Sequence, residues 1–336
     1  MKLLNKFKKT FLNFNANALQ YSKKIHNTDI EISFSKFGIK NKNKTFYIIK
    51  RTPGAGLFSN VIFVLNHLLI AKKHNFIPII DMKNFPTIYS EKNMINKTNN
   101  SWKYYFESLN KYKLEDVYKS QRVIITSNRF YRSMTHEINS KNFRKVKKFI
   151  KVKKDHINFA KNFFDKNLKN KKILGVHYRG TSYKSSANHP FPPTKEQIIN
   201  KVDNLMKKQN FDAIFLCTEE KRYLELFSKK YKDKLFYINS FRSNTDNAFK
   251  LYPRNNHRYR LGQEILIETL ILSKCDTFLH TDTNVSLFVK FFSKNLKPKF
   301  VILENGFNSS NEYIAKWLWY IKNLLPYYLG GFKKTI

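Results

Sequence analysis

Cysteine is nearly missing from this chain, which has two, Cys217 and Cys275, in 336 residues. Each closes an apolar run, Ala213-Ile214-Phe215-Leu216-Cys217 and Ile271-Leu272-Ser273-Lys274-Cys275. Both therefore read as buried thiols, and a disulfide framework is excluded as the basis of the fold. No Cys/His spacing matches a zinc site. Long apolar runs are missing too. The longest, residues 61–71, is interrupted by Asn66 and His67 and is too short to span a bilayer. Residues 1–12 lack the unbroken apolar core and small-residue cleavage site of a secretory signal. There are no internal repeats. Acidic side chains are few, 24 Asp and Glu against 63 Lys and Arg, which gives a formal charge of +39.

What is present is bulk and positive charge. Hydrophobic residues make up 42% of the chain and aromatics 16%, so most of it can bury a core and is not disordered. At 336 residues the expectation is two domains, 1–160 and 161–325. A charge of this size attracts nucleic acid, anionic lipid, phosphorylated substrates or acidic glycans. The lysines run along the whole chain rather than in one stripe. They accompany an abundance of Asn, Ile and Phe that fits A- and T-rich coding. No specific nucleic acid is expected on this basis. Leu4, Phe7, Phe11 and Phe14 recur at helical spacing with Lys2, Lys6, Lys8 and Lys9 between them. That pattern suits either a basic amphipathic helix on an anionic membrane or a helix covering the domain's own core. The expected location is cytoplasmic, with peripheral contact at the inner membrane face.

In chain order, Thr45-Phe46-Tyr47-Ile48-Ile49 reads as a buried strand. The loop Pro53-Gly54-Ala55-Gly56 follows, and Ser59 or Asn60 is placed to cap a helix over 61–75. A second strand, 76–81, completes a βαβ unit without the three-glycine dinucleotide fingerprint. Residues 85–110 form a long aromatic excursion with a short helix from Ser101. A strand at 122–126 and a very basic, mostly helical segment, 140–170, close this half. Beyond it, strands at 173–178, 211–218, 235–239, 277–280 and 300–303 alternate with helices at 195–208, 221–230, 262–273 and 283–293. That alternation defines an α/β protein with a parallel, doubly wound sheet. A last helix, 311–325, carries Trp317, Trp319 and Tyr320, and is expected to pack back toward the first domain.

In such a sheet, ligands sit beyond the carboxyl ends of the strands. Three of these ends carry polar chemistry. The first is Gly175-Val176-His177-Tyr178-Arg179-Gly180-Thr181-Ser182-Tyr183-Lys184. Its Arg179 offers a planar fork of donors for phosphate oxygens, and Gly180 permits close backbone approach. The second is Thr218-Glu219-Glu220. The third is His280-Thr281-Asp282-Thr283-Asn284-Val285-Ser286, which opens a helix with hydroxyl and amide groups and can cradle phosphate through backbone N–H groups. The simplest ligand for the three together is a diphosphate.

These motifs, in order and spacing, resemble the GDP-fucose-dependent fucosyltransferases that include the nodulation, core and protein O-fucosyltransferases. His177-Tyr178-Arg179-Gly180-Thr181 is similar to the family's His-x-Arg-Gly-Thr-Asp. Phe215-Leu216-Cys217-Thr218-Glu219-Glu220 stands where the family has Ala-Thr-Asp-Glu. Glu268-Thr269-Leu270-Ile271-Leu272-Ser273-Lys274-Cys275-Asp276, followed by residues 281–286, is similar to its Asp-x-x-x-Leu-Ser-x-x-Asp and Ser-rich helix start. The resemblance covers residues 174–303.

It implies two Rossmann-like domains facing each other (GT-B), with GDP-fucose as donor substrate in the second domain and a glycan acceptor entering between them. It also implies transfer with inversion, without a metal or other cofactor. By the same resemblance Arg179 is catalytic and holds the β-phosphate of the leaving GDP. His177 binds the nucleotide or orients Arg179. Thr283, Asn284 and Ser286 hold phosphate. Glu268 takes the place of a donor-contacting Asp, and Gly180, Thr181, Thr218, Glu219 and Asp282 complete the donor site. Ser182 departs from the family's Asp, and Glu219 from its usual Asp. The general base is unassigned, with Asp81, Glu91 and Glu107 as candidates by position. The alternatives are another nucleotide sugar in the same architecture, or a non-catalytic basic protein that binds nucleic acid or another anion.

Overall fold

A computed structural model describes residues 34–126, 146–293 and 298–334. The stretch with Leu4, Phe7, Phe11 and Phe14 lies outside the described residues, as does most of the first part of the 140–170 segment. The chain divides into two compact units, Met1–Lys153 and Lys154–Ile336. Each is an α/β structure built on parallel strands, the fold class that the alternation predicts.

The first unit holds a four-stranded sheet. Its strands are β1 (Phe34–Ser35), β2 (Lys40–Ile49), β3 (Ile77–Ile80) and β4 (Ser120–Ile125), in the order β1-β4-β2-β3. β2 is parallel to β3 and β4, and β1 lies antiparallel to β4. The core sits on β2, where Phe46, Tyr47, Ile48 and Ile49 are all buried.

Helix α1 (Leu57–Lys73) begins earlier than the sequence suggests, with Gly56 as N-cap in place of Ser59 or Asn60. The reason is local. The Asn60 side chain is already committed to the loop, accepting from Ala55 N at 3.0 Å and donating to Ala55 O at 3.1 Å. That clamp closes the glycine turn over the helix start. A short helix α2 (Leu114–Val117) was not legible in the sequence. The excursion does contain its expected short turn, a 3-10 helix at Ser101–Tyr104 capped by Asn100.

The second unit begins with helix α3 (Lys154–Asn167) and contains a wholly parallel five-stranded sheet. Its strands are β5 (Ile173–Tyr178), β6 (Ala213–Thr218), β7 (Leu235–Phe236), β8 (Thr277–His280) and β9 (Lys299–Ile302), ordered β7-β6-β5-β8-β9. Helices α4 (Lys195–Gln209) and α5 (Lys221–Tyr231) cover one face. There Leu174, Val176 and Tyr178 pack with Ile198, Val202, Tyr223 and Phe227. Helix α6 (His257–Leu272) covers the other face.

Gly175 makes that second contact close. A Cβ at this position would lie 2.9 Å from Leu272 Cδ2 and 3.0 Å from Cys275 Sγ. Cys217 and Cys275 are buried and free. The strand expected at 235–239 stops at Phe236, because the carbonyls of Ile238 and Ser240 are taken by the Arg242 guanidinium instead of a neighbouring strand. α6 also begins five residues ahead of the expected start at Gly262, with Asn256 as N-cap. Helix α7 (Asn284–Phe292) and helix α8 (Glu312–Leu324) follow β8 and β9. Among the described residues no helix is long and apolar enough to cross a membrane.

Candidate functional site

The strand order of the second unit reverses beside β5, its first strand in the chain. From β5 the chain winds out through β6 to β7, then returns to lay β8 and β9 on the other side. The carboxyl ends of β5 and β8 therefore flank a topological switch point, where an open parallel sheet leaves a crevice for a ligand. Here β5 ends in His177 and Tyr178, β8 ends in His280, and β6 delivers Thr218.

Arg179 follows β5 directly. Its guanidinium carbon stacks 4.5 Å from the Tyr183 ring centre, and Nε lies 3.6 Å from Glu219 Oε1. The side chain is 33% exposed, so the guanidinium is within reach of solvent at the end of β5. Thr181 Oγ1 donates a short hydrogen bond to the same carboxylate oxygen of Glu219. Three of the expected residues are thus joined directly.

Tyr183, which the sequence reading passed over, lies where the loops converge. Burial pushes its phenol up, Arg179 pulls it down, and Glu219 and Asp282 push it up. An aromatic residue four positions after a strand-end Arg is the signal that was available.

His177 and His280 are buried side by side. Burial, with Arg179 and His280 as lesser causes, pushes the His177 imidazole down to about 3, so it is neutral at physiological pH. Burial also lowers His280. The carbonyl oxygen of Thr281 lies 2.9 Å from His280 Nδ1, so that nitrogen carries the proton and Nε2 is an acceptor. His177 Nδ1 and His280 Nε2 have no hydrogen-bond partner among the described residues. Unmatched buried polar atoms cost about 1–3 kcal/mol each, which a ligand that reaches them recovers.

At the start of α7, Thr283 and Ser286 form a reciprocal capping box. Ser286 N donates to Thr283 Oγ1 at 3.2 Å, and Thr283 N donates to Ser286 Oγ at 3.0 Å. Both hydroxyls serve the helix end. An anion there meets chiefly the first-turn N–H groups and the Asn284 side chain. Asp282 is exposed beside them.

Two adjacent carboxylates point opposite ways. Glu219 faces the crevice, whereas Glu220 is fully buried. Glu220 accepts from Lys184 Nζ at 3.0 Å and from Arg222 Nε at 2.7 Å. Gly180 packs against this pair, and a Cβ there would overlap Glu220 Oε1 and the Tyr178 hydroxyl. Thr218 accepts from Glu220 N at 3.2 Å and so fixes the β6 end. Neither Lys184 nor Glu220 was singled out from sequence for this role.

Glu268 on α6 sits behind Cys217, the register partner of His177. Its carboxylate accepts from Cys217 Sγ at 3.2 Å and from Ser240 Oγ at 2.8 Å, with Arg242 Nη2 at 3.5 Å. Burial raises it to about 7 from 4.5 despite Arg242.

The two shifted groups act oppositely on stability. Glu268 keeps a proton that the unfolded chain has lost, so its contribution is full below pH 4.5 and fades as pH rises through about 7. His177 refuses a proton that the unfolded chain takes. Its contribution is full above pH 6.5 and fades as pH falls toward about 3. Glu268→Gln should remove the alkaline loss, worth about 3 kcal/mol between pH 5 and 8, and leave the acid loss in place. Urea midpoints across that range check this. A variant whose midpoints fall with pH as steeply as wild type would show that the carboxyl does not titrate there.

In the first unit Asp81 is fully engaged. One carboxylate oxygen accepts from Lys83 N and Asn84 N, and the other from the Asn84 amide and the Tyr118 hydroxyl. All four of these bonds shape a turn of its own unit. Glu91 is part-buried and Glu107 is exposed.

No protein-family model matches the chain. Over 118 residues it is 26% identical to the GDP-fucose protein O-fucosyltransferase 2 of Plasmodium berghei (strain Anka). That stretch is 35% of this chain and 22% of the relative's length. The structure is similar to that of the NodZ alpha-1,6-fucosyltransferase co-crystallised with GDP, at 15% identity and TM-score 0.49, over 78% of this chain and 96% of the other. It is also similar to POFUT1 in complex with GDP-fucose, at 12% identity and TM-score 0.46, over 79% and 99%.

Proposed function

We propose that this chain is a fucosyltransferase that moves fucose from GDP-fucose to a hydroxyl of a glycan acceptor, with inversion at the sugar carbon. The observation that carries the reading is the placement of Arg179. Its partly exposed guanidinium stands at the end of β5, and the N-terminus of α7 follows β8 on the other side of the switch point. A diphosphate between them meets a guanidinium and a helix end. The motif resemblance and the short sequence match to a GDP-fucose protein O-fucosyltransferase support the choice of nucleotide sugar.

In the reaction, the acceptor oxygen attacks the anomeric carbon from the face opposite the phosphate. The bond from that carbon to the β-phosphate oxygen breaks, and GDP leaves with the electron pair. Arg179 and the α7 N–H groups take up the charge that develops on the leaving oxygen. Such stabilisation is usually the largest single contribution to catalysis. Neutral His177 and His280 offer ring nitrogens to the nucleotide without adding charge. The acceptor proton goes to a base outside the groups assigned so far.

Calorimetry with GDP, UDP and a DNA duplex tests this. GDP should bind measurably and more tightly than UDP, and GDP-fucose should be turned over with a glycan acceptor. UDP binding tighter than GDP would favour a different nucleotide sugar. DNA affinity that falls steeply with salt, with no GDP binding, would sink the enzyme reading.

A further inference from the structure

Helix α8 is apolar on two opposite sides, and only one of them is used by its own unit. Ala315 and Trp319 point inward. Trp319 joins Phe191 and Phe332 in a small core cluster, and its Nε1 donates to Pro192 O at 2.9 Å. On the other side Tyr313 is 80% exposed, Trp317 66% and Leu324 83%. At about 100° per residue these, with Tyr320 between them, fall on one stripe. The exposed surface continues past the helix, where Tyr328 is 83% exposed in a 3-10 turn at Tyr327–Leu329. Half of the exposed large hydrophobic residues among the described ones, ten of twenty, fall within residues 313–329. Soluble monomers rarely leave apolar patches beyond a few hundred Å² without a use for them.

We propose that this face docks on the headgroup–acyl boundary of a membrane that contains anionic lipid. The residue types fit that boundary. Two of the chain's three tryptophans are in this helix, and the exposed stripe mixes Trp and Tyr with Leu and Ile. Amphipathic rings of this kind concentrate at membrane–water interfaces. Lysines rim the patch. Lys316 Nζ lies 5.6 Å from the Tyr313 ring and Lys333 Nζ 5.0 Å from the Tyr327 ring. Glu312, at the helix start, is the one carboxylate among residues 312–334.

Charge selects the occupant. A second copy docking face to face would bring lysine rims together on molecules of formal charge +39 each, and would be repelled. An anionic bilayer accepts the apolar stripe and neutralises the rim together, each near-surface lysine adding to the attraction. The stripe lies along the surface and does not cross it.

The test uses the full chain and two sets of vesicles, pure phosphatidylcholine and phosphatidylcholine with about 30% phosphatidylglycerol. Wild type should float with the mixed vesicles and far less with the neutral ones. Brominated lipid should quench its tryptophan emission, and Trp317→Phe should lose most of that quenching. The triple variant Trp317→Ser, Leu324→Ser, Tyr328→Ser should bind mixed vesicles about tenfold or more weakly, with circular dichroism unchanged. Any of three results overturns the proposal. Wild type fails to bind mixed vesicles. The triple variant binds them as well as wild type does, which moves the contact to diffuse charge or to residues 1–33. Or sedimentation finds a wild-type dimer that the triple variant abolishes, which gives the face to a second copy.

Discussion

Arg179→Ala should weaken GDP binding by about 10- to 100-fold, because hydrogen bonds to charged groups are worth about 1.5–3 kcal/mol. Turnover of GDP-fucose should fall further, by about 10²- to 10³-fold beyond the loss of binding. The excess arises because the bridging oxygen becomes more negative as the sugar departs, so the guanidinium gains in the transition state over the ground state. Fold stability should hardly change. Arg179 is one-third exposed, stacks on a ring face and lies 3.6 Å from a carboxylate. Arg179→Lys should retain part of the binding and little of the rate, since an ammonium keeps the charge but lacks the planar fork. Calorimetry with GDP and release of GDP from GDP-fucose measure the two effects separately. GDP affinity in the alanine variant equal to wild type would remove Arg179 from the phosphate site.

The largest effect on stability should come from Glu220→Ala. Lys184 and Glu220 are both buried and lie 36 positions apart in the chain, bonded at 3.0 Å. Without the carboxylate, the Lys184 ammonium stays buried beside the rings of Tyr223 and Trp319, at 5.9 Å and 5.1 Å. Stranding a buried charge costs about 3–5 kcal/mol. Arg222 loses a partner as well, but it is half-exposed and water replaces that bond. Burial already lowers the Lys184 ammonium against the pull of Glu220. In the variant it should shed its proton more readily, so the destabilisation should shrink as pH rises toward the ordinary lysine range. The double variant Lys184→Met, Glu220→Leu should recover most of the loss, because removing both buried charges removes the desolvation cost that each must offset. Urea unfolding of the two variants decides the matter. A single variant within about 1 kcal/mol of wild type would mean that the pair is solvated in solution.

The parallel alternation was legible because buried strands are short apolar runs separated by longer helical segments. Thr194 caps α4 just before its expected start, whereas the capping box of Thr283 with Ser286 was not foreseen. Arg179, Thr181 and Glu219 could be grouped because strand ends in a doubly wound sheet share one side. The ion pair under Gly180 could not be read, since it depends on how deeply each of two neighbouring glutamates is buried. Glu219 and Glu220 look alike in sequence and differ in the direction each side chain takes from the β6 end. Glu268 was placed near the donor by resemblance alone. The structure shows its present partners, Cys217, Ser240 and Arg242, which come from a strand end and a loop without periodic pattern. The start of α1 was missed for a similar reason. Asn60 looked like a cap and is instead a clamp on the preceding turn.

The opposed glutamates have a kinetic and thermodynamic consequence. One carboxylate ties the loop after β5 from the solvent side through Thr181, and the next ties it from the core side through Lys184. A loop held at both surfaces has few conformers left to lose. GDP capture should therefore need little ordering of the chain, with an association rate set by diffusion and charge rather than by waiting for the loop to arrange itself.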